Sequence, residues 1–488
     1  MKSAHATLRG MGTFDSVNPA RPGEVLGTRT LGGAAEVDAA VARAAAAQRA
    51  WAKVPAPARA EMIAATGEVL AARKAELAEL VAREAGKVLV EANGDVQEAI
   101  DMGGFVAGLG RMPMGETVAS ELPNKMGYTT RHPVGVVGMI TPWNFPVAIP
   151  SWKCFPALLA GNAVVLKPSE FAPLCAEAFV AACVDAGIPG DLLNIVHGAR
   201  DAGAALAVHP GVGALSFTGS VPTGRLVAAA AAETGPRLVS LELGGKNAMV
   251  VMPDADLELV VDGAVWGAFG TAGQRCTSTS RLVIDRTVAD RVTEQVAERA
   301  AGLRLGDPMD PATDVGPVIT AESGRRITGM VEAALDEGAE VATGGALVEV
   351  DGCEGGSFMQ PTVLRGVKPS HRIALDEVFG PVLSVIEVDG LDEAIDVVNS
   401  AEYGLSAAVY TSDIGVAMRA VDAIDTGIVY VNAPTIGAEI QLPFGGTKHT
   451  GNGFREAGTR GIEQFSQVKT VYIDYSGRLQ RAQIDNRD

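Results

Sequence analysis

Cys276 stands in the run Gly273-Gln274-Arg275-Cys276-Thr277, where a helical stretch gives way to a strand. A lone cysteine is ordinarily a small buried hydrophobe. Here the glycine and threonine neighbours leave room for a substrate. Arg275 beside it favours the thiolate, the nucleophilic form. Glu242 closes an apolar strand in Leu241-Glu242-Leu243-Gly244-Gly245-Lys246. A carboxylate there is costly unless it is paired or used. Two readings follow: a salt bridge to Lys246, or a general base whose pKa is raised by apolar surroundings. Asn144 lies in Thr141-Pro142-Trp143-Asn144-Phe145-Pro146. Asparagine in a loop is often only a turn former. Two prolines and two aromatics nevertheless make this loop stiff enough to aim one amide at an oxyanion.

Two further runs suit a dinucleotide. Phe217-Thr218-Gly219-Ser220, with Gly224 five residues after Gly219, closes a strand and opens a helix. Backbone amides meet phosphates at such a place. The spacing is GxxxxG, and no GxGxxG occurs in the chain. Lys167-Pro168-Ser169-Glu170 ends another strand, and its two charged side chains could hydrogen-bond ribose hydroxyls or merely cap a solvated turn.

The elements that must position these residues alternate in type. Val134–Thr141, Ala163–Lys167, Leu192–Val196, Ala214–Phe217 and Leu238–Leu243 read as buried strands. Helical stretches Pro150–Ala160, Leu174–Ala186 and Val221–Thr234 separate them. This βαβαβ rhythm implies a parallel sheet of Rossmann type, whose ligands sit beyond the carboxyl ends of the strands. One or two amphipathic helices are expected over Ala58–Lys87. A second α/β region follows Gly245, with helices near Leu257–Phe269, Val288–Gly302 and Glu322–Glu337. Its strands are expected near Arg281–Ile284, Leu383–Val388 and Gly427–Val431. Thr470–Tyr475 and Gly127–Arg131 alternate apolar and polar residues, and read as exposed strands wanting partners.

The 488 residues suffice for two or three domains. A net charge of -18 argues against nucleic acid and against an anionic membrane. The five cysteines include no CxxC pair and the six histidines no HExxH, so no metal is expected. Low cysteine usage fits a reducing cytoplasm, and no apolar run is long enough to span a bilayer.

The segments TPWNFP (141–146), LKPSE (166–170), FTGS (217–220), LELGGK (241–246), GQRC (273–276), EVFGPV (377–382) and LPFGG (442–446) follow one another in a definite order. In that order the chain resembles the aldehyde dehydrogenase superfamily, from about Asn18-Pro19 to the tail. The resemblance implies an α/β fold with a Rossmann-type cofactor domain at 1–112 and 133–244. It implies a catalytic α/β domain at 245–445, and a small β oligomerisation element from a hairpin at 113–132 and a tail at 446–488. It also implies a chemistry. Cys276 attacks the aldehyde, and the amide of Asn144 with the Cys276 N–H holds the oxyanion. Loss of a hydride to nicotinamide leaves a thioester, which water activated by Glu242 releases as the acid.

By the same resemblance Lys167 and Glu170 bind the adenosine ribose, and Ser220 with the amides near Gly219 contacts the pyrophosphate. Glu377 binds the nicotinamide ribose and Phe379 packs nearby. Thr141, Trp143, Gly224 and Gly244 line the cofactor cleft, and Phe444 the substrate side. Glu170 should repel a 2′-phosphate, so NAD is expected over NADP. A homodimer or homotetramer is implied.

Finer features point to a branch. GTAGQRCT (270–277), PTIGAEI (434–440) and GGTKHTGNG (445–453) are similar to antiquitin, whose substrate is α-aminoadipic semialdehyde. That likeness implies that Arg275, and Glu98 in Val96-Gln97-Glu98, hold the charged end of the substrate. A structural salt bridge is the other reading of Arg275. Pro142-Trp143, Pro168-Ser169-Glu170 and Lys246 instead look like general aldehyde dehydrogenases. A related semialdehyde or a broad aldehyde range is therefore the alternative. Other rivals are a coenzyme A-acylating enzyme, a thiol esterase and a non-catalytic dinucleotide binder.

Overall fold

The structure is a computed structural model describing residues 12–112, 114–235 and 237–485. Five of the apolar runs form one parallel sheet. Its order is Leu193–Ile195, Ala163–Lys167, Val136–Ile140, Ala214–Thr218, Leu238–Glu242. Val136–Ile140 and Ala163–Lys167 are buried at every position, as strands covered on both faces must be. Strand order reverses at Val136–Ile140, so a crevice opens beyond its carboxyl end. The loops starting at Thr141 and Gly219 both leave from that end.

A second sheet of seven strands runs Glu340–Thr343, Thr362–Arg365, Val382–Val388, Thr279–Asp285, Asn247–Val251, Ser406–Tyr410, Ile428–Val431. Only Glu340–Thr343 is antiparallel to its neighbour. Each sheet has its own apolar core. Leu257–Phe269 begins where Asp256 accepts from the N–H groups of Glu258 and Leu259. Ala56–Ala72 and Lys74–Ala85 are two helices, broken at Arg73.

The two strands expected to want partners pair with each other. Lys125–Pro133 runs antiparallel to Ser466–Asp474 along nine residues, and Thr117–Ala119 completes a three-stranded sheet. The tail strand thus begins four residues before the expected Thr470. The stretch 446–465, expected to belong with that tail, instead folds against the first lobe. Ala457, Ile462 and Phe465 lie in that lobe's core. No helix among the described residues is long and apolar enough to cross a membrane.

One buried amide ties three of these elements together. Asn162 Oδ1 accepts from the N–H groups of Val134 (2.8 Å) and Gly135 (3.0 Å). Its Nδ2 donates to the carbonyls of Ala157 (3.0 Å) and Phe465 (2.8 Å). Asn162→Ala takes this partner from the Val134 and Gly135 N–H groups and from Phe465 O, while Ala157 O keeps the Asn162 backbone N–H. Calorimetry should show a lower unfolding midpoint and a loss of about 3 kcal/mol.

Candidate active site

Glu242 ends the last strand of the first sheet, and Asn247 begins a strand of the second. Four residues, Leu243 to Lys246, cross between the lobes. Thr450 fastens this crossover. Its carbonyl accepts from Leu243 N–H at 2.7 Å, its hydroxyl donates to Gly244 O at 2.9 Å and accepts from Gly404 N–H at 3.1 Å. Gly445, at φ 143°, allows the Glu242 carboxylate to come close; a Cβ there would stand 2.6 Å from Oε1.

Glu242 is buried, and neither carboxylate oxygen has a hydrogen-bond partner among the described residues. Burial, and the Glu456 carboxylate nearby, raise its pKa well above the usual range. The salt bridge to Lys246 is not formed. Lys246 Nζ is itself buried without a hydrogen-bond partner, and burial pushes its pKa down to about 7.

Cys276 is half-buried at the entrance to Thr279–Asp285. Asn247 Nδ2 donates to the carbonyls of Cys276 (2.7 Å) and Ser278 (2.9 Å), so the crossover itself grips the cysteine segment. Asn144 Nδ2 donates to Gln274 O at 3.0 Å, which brings the Trp143 loop to the same place. Cys276, Glu242 and Asn144 therefore meet where the two sheets join.

The thiol departs from the sequence expectation. Burial pushes its pKa up to about 12, with the Glu377 and Glu242 carboxylates adding to the shift. Arg275 does not offset this, because its head turns away from Cys276. It pairs with Glu91 at 3.2 Å, donates from Nε to Thr271 Oγ1 at 2.9 Å and stands over the rings of Phe145 and Trp266. The salt-bridge reading of Arg275 is thus realised, with Glu91 as partner. The side chain is still slightly open to solvent.

Residues expected to hold a dinucleotide gather at the first sheet's carboxyl ends. Lys167 Nζ lies 3.5 Å from Glu170. Ser220 precedes the Val221–Glu233 helix, and its hydroxyl donates to Thr223 at 3.0 Å. Gly219 N–H donates to Glu242 O at 3.1 Å. A Cβ at Gly224 would overlap Leu243, and one at Gly244 would overlap the Glu377 carboxylate. Glu377 accepts from Gly245 N–H at 3.1 Å, and burial pushes its pKa up to about 7. Phe379 is held at φ 48° with its ring edge-on to Trp143. The hydroxyls of Thr141 and Thr218 are buried without partners among the described residues. Unmet donors and glycine-lined backbone at a strand switch point fit a phosphate- and ribose-bearing ligand.

On the other side Phe444 packs edge-on against Trp152, with ring centres 5.1 Å apart. Glu98 sits near Arg275, and its pKa is raised to about 8 by burial and by Asp95. Lys87 pairs with buried Asp95 at 3.4 Å and stands over the Phe145 ring.

Two groups escaped the sequence reading. Lys153 is fully buried and bonds to Ser216 (2.8 Å) and Glu456, close enough to act on Glu242. A lysine inside the apolar run Ala148–Leu159 was the available signal. Glu91, which grips Thr271 and Arg275, gave no local signal at all.

The Aldehyde dehydrogenase family model matches residues 7–471. An alpha-ketoglutaric semialdehyde dehydrogenase of Bacillus subtilis (strain 168) is 37 % identical, with 93 % of each chain covered. A betaine aldehyde dehydrogenase of Mesorhizobium japonicum is 38 % identical over 90 % of this chain and 89 % of its own. The crystal structure of Staphylococcus aureus betaine aldehyde dehydrogenase in complex with NAD+ superposes with a TM-score of 0.93. It is 33 % identical and covers 98 % of this chain and 94 % of its own. These relatives are semialdehyde and betaine aldehyde dehydrogenases, and none of the three is an antiquitin.

The thiol's environment gives a test by alkylation. Below its pKa of about 12, Cys276 should react with iodoacetamide about tenfold faster per pH unit gained. Glu377, with a pKa of about 7, is ionised at pH 9 and opposes the thiolate there. Glu377→Gln should therefore alkylate several-fold faster than the parent at pH 9. Equal rates would mean that this charge is not felt at Sγ.

Proposed function

The chain belongs to the aldehyde dehydrogenase family and is an NAD(P)-dependent aldehyde dehydrogenase; we propose that it prefers NAD and oxidises a semialdehyde bearing a carboxylate at its far end. The observation that carries the substrate reading is Arg275, a fixed cation one residue before the nucleophile. The semialdehyde named for the Bacillus subtilis relative, alpha-ketoglutaric, has the required carboxylate. Glu98 beside Arg275 favours a second reading, α-aminoadipic semialdehyde, whose ammonium it could take. A quaternary ammonium aldehyde suits the site less well. Lys87 and Arg275 already stand over the Phe145 ring that would otherwise attract it.

In this reading ionised Glu242 takes the thiol proton as Cys276 Sγ adds to the aldehyde carbon, and passes it to solvent before the second half of the reaction. The new oxyanion is held by Asn144 Nδ2 and the Cys276 N–H. A nicotinamide held in the cleft would supply the hydride acceptor that conversion of the adduct to a thioester requires. Lys167 and Glu170 would hold the adenosine ribose, Ser220 and the amides near Gly219 the pyrophosphate, and Glu377 the second ribose. The Glu170 carboxylate disfavours a 2′-phosphate, which is why NAD is preferred. Glu242 then takes a proton from water, the hydroxide displaces the thiolate, and the acid leaves. Burial raises the Glu242 pKa, which makes it a stronger base once it is ionised.

We also propose that the chain forms a homodimer or a dimer of dimers through the three-stranded sheet. Ser466–Asp474 is an edge strand with Val468, Tyr472 and Ile473 exposed. Tyr472→Asp should reduce the mass measured by light scattering; an unchanged mass would remove this surface from the interface.

NADH formation by the purified protein tests the main reading. Carboxylated semialdehydes should exceed propanal and hexanal in kcat/KM by about tenfold, equivalent to about 1.4 kcal/mol. Arg275→Ala should remove that preference, and Cys276→Ala should abolish turnover. Best activity on neutral aldehydes would sink the substrate reading and leave the chemistry standing.

A further inference from the structure

The backbone just before Cys276 is left-handed at three consecutive residues: Thr271 (φ 54°), Ala272 (φ 51°) and Gly273 (φ 67°). Only the glycine adopts this conformation without cost. Such a turn persists only where its surroundings hold it. Within the second lobe, Gln274 helps. Its side-chain amide donates to Thr271 O and Pro317 O, and its Oε1 accepts from Ile319 N–H at 2.9 Å.

The other restraint comes from the first lobe. Glu91, in the first turn of the Leu89–Leu109 helix, accepts the Thr271 N–H at 2.8 and 3.0 Å and the Thr271 hydroxyl at 3.2 Å. The same carboxylate pairs with Arg275 at 3.2 Å, and Arg275 returns a bond to Thr271 Oγ1. One carboxylate thus closes a loop through both ends of the turn. Gln274, whose carbonyl takes the Asn144 amide, and Cys276 follow directly from it.

We propose that Glu91 is a positioning residue, holding the left-handed turn at Thr271–Gly273 so that Cys276 is presented to Asn144 and Glu242. This rests on Cys276 being the nucleophile. Glu91 touches neither the substrate nor the reacting atoms in this scheme. It acts through Thr271 and Arg275.

The experiment compares the parent with Glu91→Ala, Glu91→Gln, Ala272→Gly, the double variant Glu91→Ala/Ala272→Gly, and Cys276→Ala. It measures kcat and KM with hexanal, the rate of Cys276 alkylation by iodoacetamide, and NAD affinity. Glu91→Ala should lose at least tenfold in kcat and shift the alkylation rate, with NAD affinity within twofold of the parent. Glu91→Gln keeps one acceptor for the Thr271 N–H and should fall between the two. Ala272→Gly removes the side chain from a left-handed position, so the double variant should regain several-fold of the lost kcat. A general structural defect would not be rescued by a glycine there. Parental kcat in either Glu91 variant, with Cys276→Ala inactive, would overturn this role alone. So would a double variant no faster than Glu91→Ala. Turnover by Cys276→Ala would overturn this role and the nucleophile assignment together.

Discussion

The site depends on one short crossover between two sheets. Leu243 to Lys246 carry the chain from the end of one parallel sheet to the start of the next. Glu242 stands at one end of this link and Asn247 at the other. Because Asn247 bonds the carbonyls of Cys276 and Ser278, the position of Cys276 is set by the same backbone that sets Glu242. A link of four residues leaves little freedom, and Thr450 removes more of it by bonding on both sides. Two glycines in the link serve close approach: Glu377 lies against Gly244, and Cys276 O against Gly245.

Burial around this link has an electrostatic consequence. Glu242, Glu377, Lys246 and the Cys276 thiol all have pKa values shifted toward the neutral form, chiefly by desolvation. A region that disfavours charge in the free protein is one where charges of bound groups weigh heavily. The thiol begins protonated, so its activation calls for a proton acceptor or a change in the local field. Glu242, whose charge reaches the thiol, can serve as that acceptor once it is ionised. The buried Lys153–Glu456 pair acts on that carboxyl through its charges and is itself bonded onward to Ser216 and Gln464.

The substrate side is a different kind of environment. Lys87, Glu91, Asp95, Glu98 and Arg275 bring charges of both signs around Phe145, on helix and loop elements of both lobes. Arg275 has two duties there. As proposed above, it offers a cation to a substrate carboxylate and, with Glu91, braces the turn before Cys276. A side chain fixed in this way pays little further entropy on binding an anion.

Much was legible in the sequence because it is local. Strands buried on both faces announce themselves as short apolar runs, and the Ala163–Lys167 and Leu257–Phe269 boundaries agree to the residue. Motif order carried the family, and the family carried the roles of Cys276, Glu242 and Asn144. What the tertiary structure decided depends on residues far apart in the chain. Arg275 read as a neighbour that would favour the thiolate, yet Glu91, 184 positions away, draws its charge elsewhere. The strands at Lys125–Pro133 and Ser466–Asp474 each read as an edge, and only folding made them each other's partner. The left-handed turn at Thr271–Gly273 has no signature at Thr271 and Ala272, because its hydrogen-bond partners include Glu91, far away in the chain, as well as neighbouring Gln274. Side-chain type and spacing record what a segment can do locally; burial and long-range pairing set its charge state and its aim.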